Sequence, residues 1–201
     1  MIRLLLADDQ ALVRGALAAL LSMESDLEVV AQVGRGDEVV DAAREHSPDV
    51  ALLDVEMPGM DGIEATAALR AALPGVQVLI VTTFGRPGYV RRGLRSGASG
   101  FVVKDTPAAE LAEAVRRVHA GLRVIDPTLA ADSMAAGDSP LTARETDVLR
   151  EAHRGGSVAD IAKALFLSEG TVRNHLSNAI GKTGARNRAD AAQIAEGNGW
   201  L

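Results

Sequence analysis

Short apolar runs and longer alanine-rich segments alternate through the first 121 residues of the chain. An apolar run of about four to eight residues is typical of a buried strand, whereas apolar positions that recur every three to four residues indicate a helix. The strand candidates are Ile2–Ala7, Leu27–Val33, Val50–Asp54, Val76–Thr82 and Gly100–Val103. The helix candidates are Ala11–Met23, Asp37–Glu45, Gly62–Ala72, Pro87–Ser96 and Pro107–Ala120. Their strict alternation predicts an α/β fold with a doubly wound parallel sheet.

The pattern changes after residue 121. Residues 122–139 lose the periodicity and contain Pro127, Gly137 and Asp138, so we interpret them as a linker between a domain of residues 1–121 and one of residues 140–201. Beyond Pro140 the strand signals vanish and four helix starts appear. Two are capping boxes, Thr142 to Glu145 and Ser157 to Asp160, and Ser168 and Asn187 can cap the other two. The tail is therefore predicted to be an all-α domain of four helices.

Composition narrows the class of protein. The 201 residues are 47% hydrophobic, which permits one large domain or two smaller ones. There is no cysteine, which excludes disulfides and thiolate metal sites. No charged segment and apolar core of a signal peptide open the sequence, and no apolar run approaches the roughly 20 residues that span a bilayer. We expect a cytoplasmic protein that does not enter a membrane.

Charge is divided unevenly along the chain. Residues 1–139 carry 13 Lys+Arg and 20 Asp+Glu, a net charge of -7. Residues 140–201 carry 8 Lys+Arg and 7 Asp+Glu, a net charge of +1. The asymmetry favours an acidic front domain and a tail that can approach phosphates.

Polar residues stand where the predicted strands end. Asp8 and Asp9 follow the first strand, Asp54 ends the third, Thr82 the fourth, and Lys104 follows the fifth. Ligands of open parallel sheets bind beyond these carboxyl ends, so the residues should converge on one crevice. Three close carboxylates require a cation, and oxygen ligands suit Mg²⁺. With the cation bound, Asp54 can attack phosphorus, Lys104 can balance charge on the transferred group, and the Thr82 hydroxyl can bond a phosphoryl oxygen.

These residues resemble the receiver domains of two-component systems. The resemblance rests on Asp8-Asp9, on the run Leu-Leu-Asp-Val-Glu-Met-Pro-Gly-Met-Asp-Gly at residues 52–62, and on Lys104 lying 22 residues beyond Thr82. It implies a flavodoxin-like (βα)5 fold with strand order 2-1-3-4-5 and Asp54 as phosphoacceptor. It also implies Mg²⁺ held by Asp8, Asp9, Asp54 and the Glu56 main-chain carbonyl, and a switch pair of Thr82 and Phe101. One departure is Asp105, which stands where receivers usually have proline after the lysine.

The tail contains a helix, tight turn and helix between Ile161 and Leu176. Val172, Leu176 and Ile180 recur at helical spacing and predict an inward face, while Arg173, Asn174 and Ser177 point elsewhere. Arginine pairs with guanine and asparagine with adenine in the major groove. The second helix is therefore predicted to recognise DNA bases.

Residues 141–188 resemble the four-helix DNA-binding domain of the NarL/LuxR (GerE) class. The resemblance places Arg173, Asn174 and Ser177 at base-facing positions. It makes five other residues candidates for phosphate contacts or local support: Lys163, Thr171, His175, Lys182 and Arg188. The last helix, around 189–195, resembles the one through which such domains dimerise. The whole chain resembles a NarL/FixJ-class response regulator, and the stretch Thr82–Tyr89 with the ending Gly199-Trp200 looks most like the DesR-type subgroup, which is paired with membrane-sensing histidine kinases.

The resemblance implies a switch and not an enzyme that turns over a substrate, although receivers can catalyse their own phosphorylation and dephosphorylation. It implies that a sensor histidine kinase phosphorylates Asp54 and that this promotes a homodimer and binding to double-stranded promoter DNA, with RNA polymerase as a further candidate partner. The first and fifth helices, or the fourth with Tyr89, are open alternatives for the dimer interface. Two other hypotheses remain: a phosphatase with Asp54 as nucleophile and Glu56 as acid/base, and an atypical receiver controlled by a ligand or partner. The four histidines lack metal-ligand spacing.

Overall fold

The computed structural model describes residues 1–83, 87–135 and 139–201. Most of the first 132 residues form one compact unit, and residues 133–201 belong to a second. Residues 84–86, which belong to the DesR-like stretch, and Gly137 and Asp138 of the predicted linker lie outside the described residues. No helix of the described ranges is long and apolar enough to cross a membrane.

The first unit is an α/β sandwich. Its strands are β1 (Ile2–Ala7), β2 (Leu27–Val33), β3 (Val50–Asp54), β4 (Gln77–Thr82), β5 (Gly100–Val103) and β6 (Val124–Ile125). Its helices are α1 (Ala11–Leu21), α2 (Val39–His46), α3 (Gly62–Ala72), α4 (Pro87–Arg95) and α5 (Ala108–His119), and α6 (Pro127–Ala135) follows the last strand. The strands are all parallel in the order β2-β1-β3-β4-β5-β6. The predicted fold and the predicted order of the first five strands are confirmed.

Both faces of the sheet are covered, because successive side chains of a strand point to opposite faces. Leu4 and Leu6 of β1 pack in a cluster with side chains of α1 and α5. Leu5 and Ala7 pack in a second cluster with side chains of α2 and α3. Every residue of β3 is buried, which explains why this central strand is an uninterrupted apolar run before Asp54.

The segment predicted as a linker contains regular structure. Val124 and Ile125 form a sixth strand that pairs with Gly100 and Phe101 of β5, and α6 then begins at Pro127. The sequence shows no strand pattern here, since a strand of two residues has no periodicity to detect. Leu129 of α6 is buried in the same cluster as α2 and α3.

Several helix ends differ from the prediction by one or two residues. At the second helix, a 3₁₀ turn over Gly36–Glu38 precedes α2. The predicted helix start at Asp37 therefore falls within this tighter turn, in which Arg35 pairs with the Asp37 carboxylate at 2.8 Å. Helix α3 has the bounds that the sequence predicts, and Asp61 and Glu64 form a capping box at its start.

Residues 139–201 of the second unit contain four helices, as predicted: α7 (Ala143–His153), α8 (Val158–Leu165), α9 (Glu169–Thr183) and α10 (Arg188–Gly197). The four predicted caps are confirmed, with full capping boxes at Thr142 and Ser157 and single caps at Ser168 and Asn187. The core is formed by apolar residues of all four helices, among them Leu149, Ile161, Val172, Leu176 and Ala192.

Candidate metal centre and nucleic-acid interface

Three carboxylates meet at the carboxyl edge of the sheet. Asp8 and Asp9 lie directly after β1, and Asp54 is the last residue of the neighbouring strand β3. One oxygen from each lies within 4.8 Å of the other two. Asp8 and Asp54 are buried, whereas Asp9 is exposed. Carboxylate oxygens at this spacing form a donor set that suits a hard divalent cation such as Mg²⁺.

Lys104 lies beside two of these carboxylates. Its Nζ is 2.7 Å from Asp8 Oδ2 and 3.0 Å from Asp54 Oδ2, and its side chain is only 8% exposed. The Val55 amide also donates to Asp54 Oδ1 at 2.8 Å. Three carboxylates and one ammonium leave two negative charges in the cluster. One divalent cation would neutralise them.

Burial affects the titration of both members of the pair. Burial raises the pKa of Asp54, and the nearby Lys104 ammonium opposes this only in part. Burial lowers the pKa of Lys104, but its hydrogen bonds to the Asp8 and Asp54 carboxylates outweigh that effect, so that its pKa lies above the ordinary value. Lys104 is therefore a fixed positive charge beside Asp54 at neutral pH.

Close packing of the main chain holds Asp54 in place. The Gly62 amide donates to the Val55 carbonyl at 2.9 Å, and a Cβ at Gly62 would lie 1.8 Å from the Asp54 carbonyl oxygen. Only glycine fits this approach. Arg14 donates to the Asp8 main-chain carbonyl, and the Gln10 amide donates to the Asp8 carboxylate at 2.9 Å. These supporting roles of Gly62 and Arg14 could not be predicted, because a sequence pattern does not identify which carbonyl a residue approaches.

The predicted switch residues lie on adjacent strands. Thr82 is buried at the end of β4, and its carbonyl accepts a hydrogen bond of 2.7 Å from the Lys104 amide. Phe101 of β5 is fully buried. Its ring lies against Gly93 of α4, where a Cβ would fall 2.2 Å from Phe101 Cζ. Glu56 is exposed and follows Asp54 by two residues.

The helix-turn-helix consists of α8 and α9, joined by Phe166, Leu167 and the N-cap residue Ser168. Phe166 adopts the left-handed conformation at φ 56° and is 96% exposed. On α9, Val172, Leu176 and Ala179 are buried, whereas Ile180 is only partly buried. The exposed residues of this helix include Arg173, Asn174, Ser177 and Asn178. The predicted base-facing residues thus lie on a polar, exposed face.

The five candidates for phosphate contact or support divide into two groups. Lys163 is exposed, and Thr171 and His175 are partly buried on α9. Lys182, in contrast, is 2.7 Å from the buried Glu145 carboxylate of α7, and Arg188 donates to the Gly156 carbonyl at 3.3 Å. The first contact joins α9 to α7, and the second joins α10 to the loop between α7 and α8, which favours local support.

Glu145 contributes two contacts. Its carboxylate accepts a hydrogen bond of 2.7 Å from the Thr142 amide and pairs with Lys182. Burial raises the pKa of Glu145, but Lys182 and the Thr142 donors outweigh this effect, and the pKa lies below its ordinary value. The capping box of α7 is therefore linked to the end of the second helix of the helix-turn-helix. The cap is predictable from the sequence, whereas this link is not.

Two family models match the chain. Residues 4–116 match the response regulator receiver domain, and residues 139–195 match the bacterial regulatory proteins of the luxR family. The two matches cover most of the sequence and agree with the two units of the fold.

Curated relatives align with the whole chain. The uncharacterised transcriptional regulatory protein YvfU of Bacillus subtilis is 42% identical and the transcriptional regulatory protein DesR of the same organism is 40% identical, each over 100% of both chains. Among solved structures, a complex of the two-component response regulator RcsB with DNA is 22% identical, with a TM-score of 0.71 over 98% of both chains. At this identity the RcsB likeness supports the fold alone.

Proposed function

The chain belongs to the transcriptional response regulators that join a receiver domain to a LuxR-type DNA-binding domain, and we propose that phosphorylation of Asp54 controls its binding to promoter DNA. Residues 1–121 would form the phosphoacceptor domain, residues 122–139 the connection and residues 140–201 the DNA-binding domain. The members of this family are DNA-binding regulators and not enzymes, which argues against a phosphatase.

The observation that carries the proposal is the position of Asp54 among Asp8, Asp9 and Lys104. Its carboxylate oxygen would attack the phosphorus of a phosphohistidine on a sensor kinase, and the phosphorus–nitrogen bond of the donor would break. Asp8, Asp9, Asp54 and the Glu56 main-chain carbonyl would hold Mg²⁺. The cation would offset the charge of the phosphoryl oxygens.

Lys104 and Thr82 would contact the phosphoryl group on Asp54. The Lys104 ammonium, which pairs with Asp54 at 3.0 Å, would pair with a phosphoryl oxygen, and the Thr82 hydroxyl would donate to another. A movement of Thr82 would change the space next to Phe101, whose ring is enclosed by Gly93 and the sheet. Phosphorylation would then shift the population between two receiver conformations.

Helix α1 is our proposed surface for a homodimer. Leu12 is 86% exposed and Met23, just beyond the helix end, is 81% exposed. Ala16, Ala19 and Leu20 are also exposed, and Arg14 is the one charged residue of α1. An uncharged apolar face of this kind is typical of an interface between copies of a chain. Helix α4 carries three arginines, so the exposure and charge favour α1.

Helix α9 would lie in the major groove of double-stranded promoter DNA. Arg173 and Asn174 would bond base edges, Ser177 would face them, and Lys163 and Thr171 would contact phosphates. The match of residues 139–195 to the bacterial regulatory proteins of the luxR family supports this use of the domain. RNA polymerase would be a further partner. A kinase donor and promoter DNA together imply a cytoplasmic location.

Intact mass spectrometry tests the first step. The purified protein and its Asp54→Asn variant are incubated with Mg²⁺ and acetyl phosphate. We expect one added phosphoryl group in the parent and none in the variant. If neither protein gains mass from this donor or from its sensor kinase, the proposal that Asp54 is phosphorylated is wrong, and the atypical receiver becomes the better hypothesis. A donor-dependent change in DNA binding that is the same in Asp54→Asn as in the parent would lead to the same conclusion.

A further inference from the structure

The proposed DNA-reading face contains an acidic residue. Glu169 is the first residue of α9, and one turn later Arg173 Nη2 lies 2.6 Å from Glu169 Oε2. The side chains are 63% exposed for Arg173 and 51% exposed for Glu169. A carboxylate on a surface that approaches phosphates is unfavourable for binding any DNA. A role in affinity alone therefore does not account for it.

We propose that Glu169 is a specificity-determining residue that positions Arg173 for a guanine. This inference rests on the proposed function, since it requires α9 to read DNA. Glu169 acts through Arg173 and makes no base contact of its own.

The chemistry of the guanidinium supports this role. Arginine has five N–H donors, and the bond to Glu169 occupies one, so that the others remain for the O6 and N7 acceptors of a guanine. A charge-assisted hydrogen bond also holds a long side chain in one orientation. Arg173 therefore reaches the groove with its guanidinium already positioned, which reduces the rotamer entropy lost on binding.

The carboxylate also changes what Arg173 contributes to non-specific binding. Beside Glu169, the positive charge of Arg173 is largely compensated, so phosphates at an arbitrary site gain little from it. A guanine with two correctly placed acceptors still gains both hydrogen bonds. Glu169 thus lowers the affinity for all DNA but lowers it less for the correct sequence. This raises the ratio of the affinity for the correct sequence to the affinity for other DNA.

The test compares Glu169→Gln with the parent on two probes. One is a duplex that the parent enriches from a random pool of about 20 bp, and the other is a scrambled duplex of the same composition. We expect Glu169→Gln to bind the scrambled duplex several-fold more tightly and the ratio of the two affinities to fall about tenfold, within the range for one bidentate base contact. Glu169→Asp keeps the charge, so its affinity ratio should lie between those of Glu169→Gln and the parent.

A matched control separates this effect from net charge. Glu151 of α7 pairs at 2.7 Å with Arg154, the residue that caps the end of that helix, so Glu151→Gln removes the same charge and a similar ion pair. Its affinity ratio should equal that of the parent. An equal loss of ratio in Glu169→Gln and Glu151→Gln, or no loss in either, would overturn the proposal.

Arg173→Ala distinguishes failure of the inference from failure of the proposed function. We expect it to weaken binding to the enriched duplex and to abolish the effect of Glu169→Gln on the ratio in the double variant. If Arg173→Ala binds both duplexes like the parent, base reading by Arg173 is wrong, and the role of Glu169 is wrong with it. If Arg173→Ala loses the ratio but Glu169→Gln keeps it, only the role of Glu169 is wrong.

Discussion

Asp54→Asn should make the metal-free protein more stable. The substitution keeps the shape of the side chain and removes one negative charge from the cluster of Asp8, Asp9, Asp54 and Lys104. It therefore has two opposite effects: the attraction to Lys104 is lost, and the repulsion from Asp8 and Asp9 is relieved.

The distances give the size of each effect. At an effective dielectric constant of about 20, the Asp54–Lys104 pair at 3.0 Å is worth about 5.5 kcal/mol. Each carboxylate oxygen within 4.8 Å of Asp54 repels it by about 3.5 kcal/mol or more, so Asp8 and Asp9 together exceed that attraction. Solvent screens Asp9, and we expect a net gain of about 1–2 kcal/mol, or a rise in Tm of about 3–8 °C.

Mg²⁺ should remove the stability advantage of Asp54→Asn over the parent. A ligand at about 100 times its Kd stabilises the folded state by about 2.7 kcal/mol, and the variant offers one carboxylate fewer. Thermal melts at pH 7 in EDTA and in excess MgCl₂ check both parts. The variant should melt above the parent in EDTA, and the parent should gain more from Mg²⁺.

The control for this experiment is Asp105→Asn, which removes an exposed carboxylate next to Lys104. It should leave Tm nearly unchanged in EDTA and leave the gain from Mg²⁺ intact. Relief of charge repulsion at Asp54 is refuted if the Tm of Asp54→Asn in EDTA equals or falls below that of the parent. It is also refuted if the Tm of Asp105→Asn rises by the same amount.

Three further substitutions test other contacts. Gly93→Ala places a Cβ 2.2 Å from the ring of Phe101, so thermal melts should show a loss of about 1–3 kcal/mol; an unchanged Tm would contradict this packing. Arg116 holds the pKa of Asp26 at about 2 through a side-chain hydrogen bond, and this stabilises the fold above about pH 4 and is lost as the pH falls from 4 towards 2. Arg116→Met should therefore lower Tm at pH 7 but much less at pH 2.5, and an equal loss at both would refute the assignment. Lys182→Met leaves its buried carboxylate partner unpaired, so denaturant unfolding should show a loss of about 1–3 kcal/mol even without DNA; a variant that loses DNA affinity at full stability would instead make Lys182 a phosphate contact.

The fold was predictable where local pattern and tertiary packing agree. Strand β3 is buried on both faces, so its sequence is continuously apolar and its position is clear. The caps at Thr142 and Ser157 depend only on residues three positions apart. Strand β6 depends on β5 for its hydrogen bonds, and nothing in residues 124 and 125 alone specifies it.

The sequence indicates which residues meet at the candidate site, but it does not indicate which of them contact each other. Because parallel strands place their ends at one edge, Asp8, Asp54 and Lys104 could be brought together from the sequence. Which carboxylates Lys104 pairs with depends on side-chain geometry. The same holds for Lys182, whose charge suggested DNA but whose partner lies 37 residues earlier in the chain, at Glu145.

The short strand β6 has a practical consequence for fragments of this protein. It pairs with main-chain groups of β5, and the residue that follows it, Asp126, donates its amide to the Phe101 carbonyl at 2.9 Å. A receiver fragment that stops at residue 121 would leave this edge of the sheet bare, and a bare edge is a template for pairing with another molecule. A fragment that continues to residue 132 would keep the edge paired and Leu129 buried. The first fragment should self-associate at concentrations at which the second stays monodisperse.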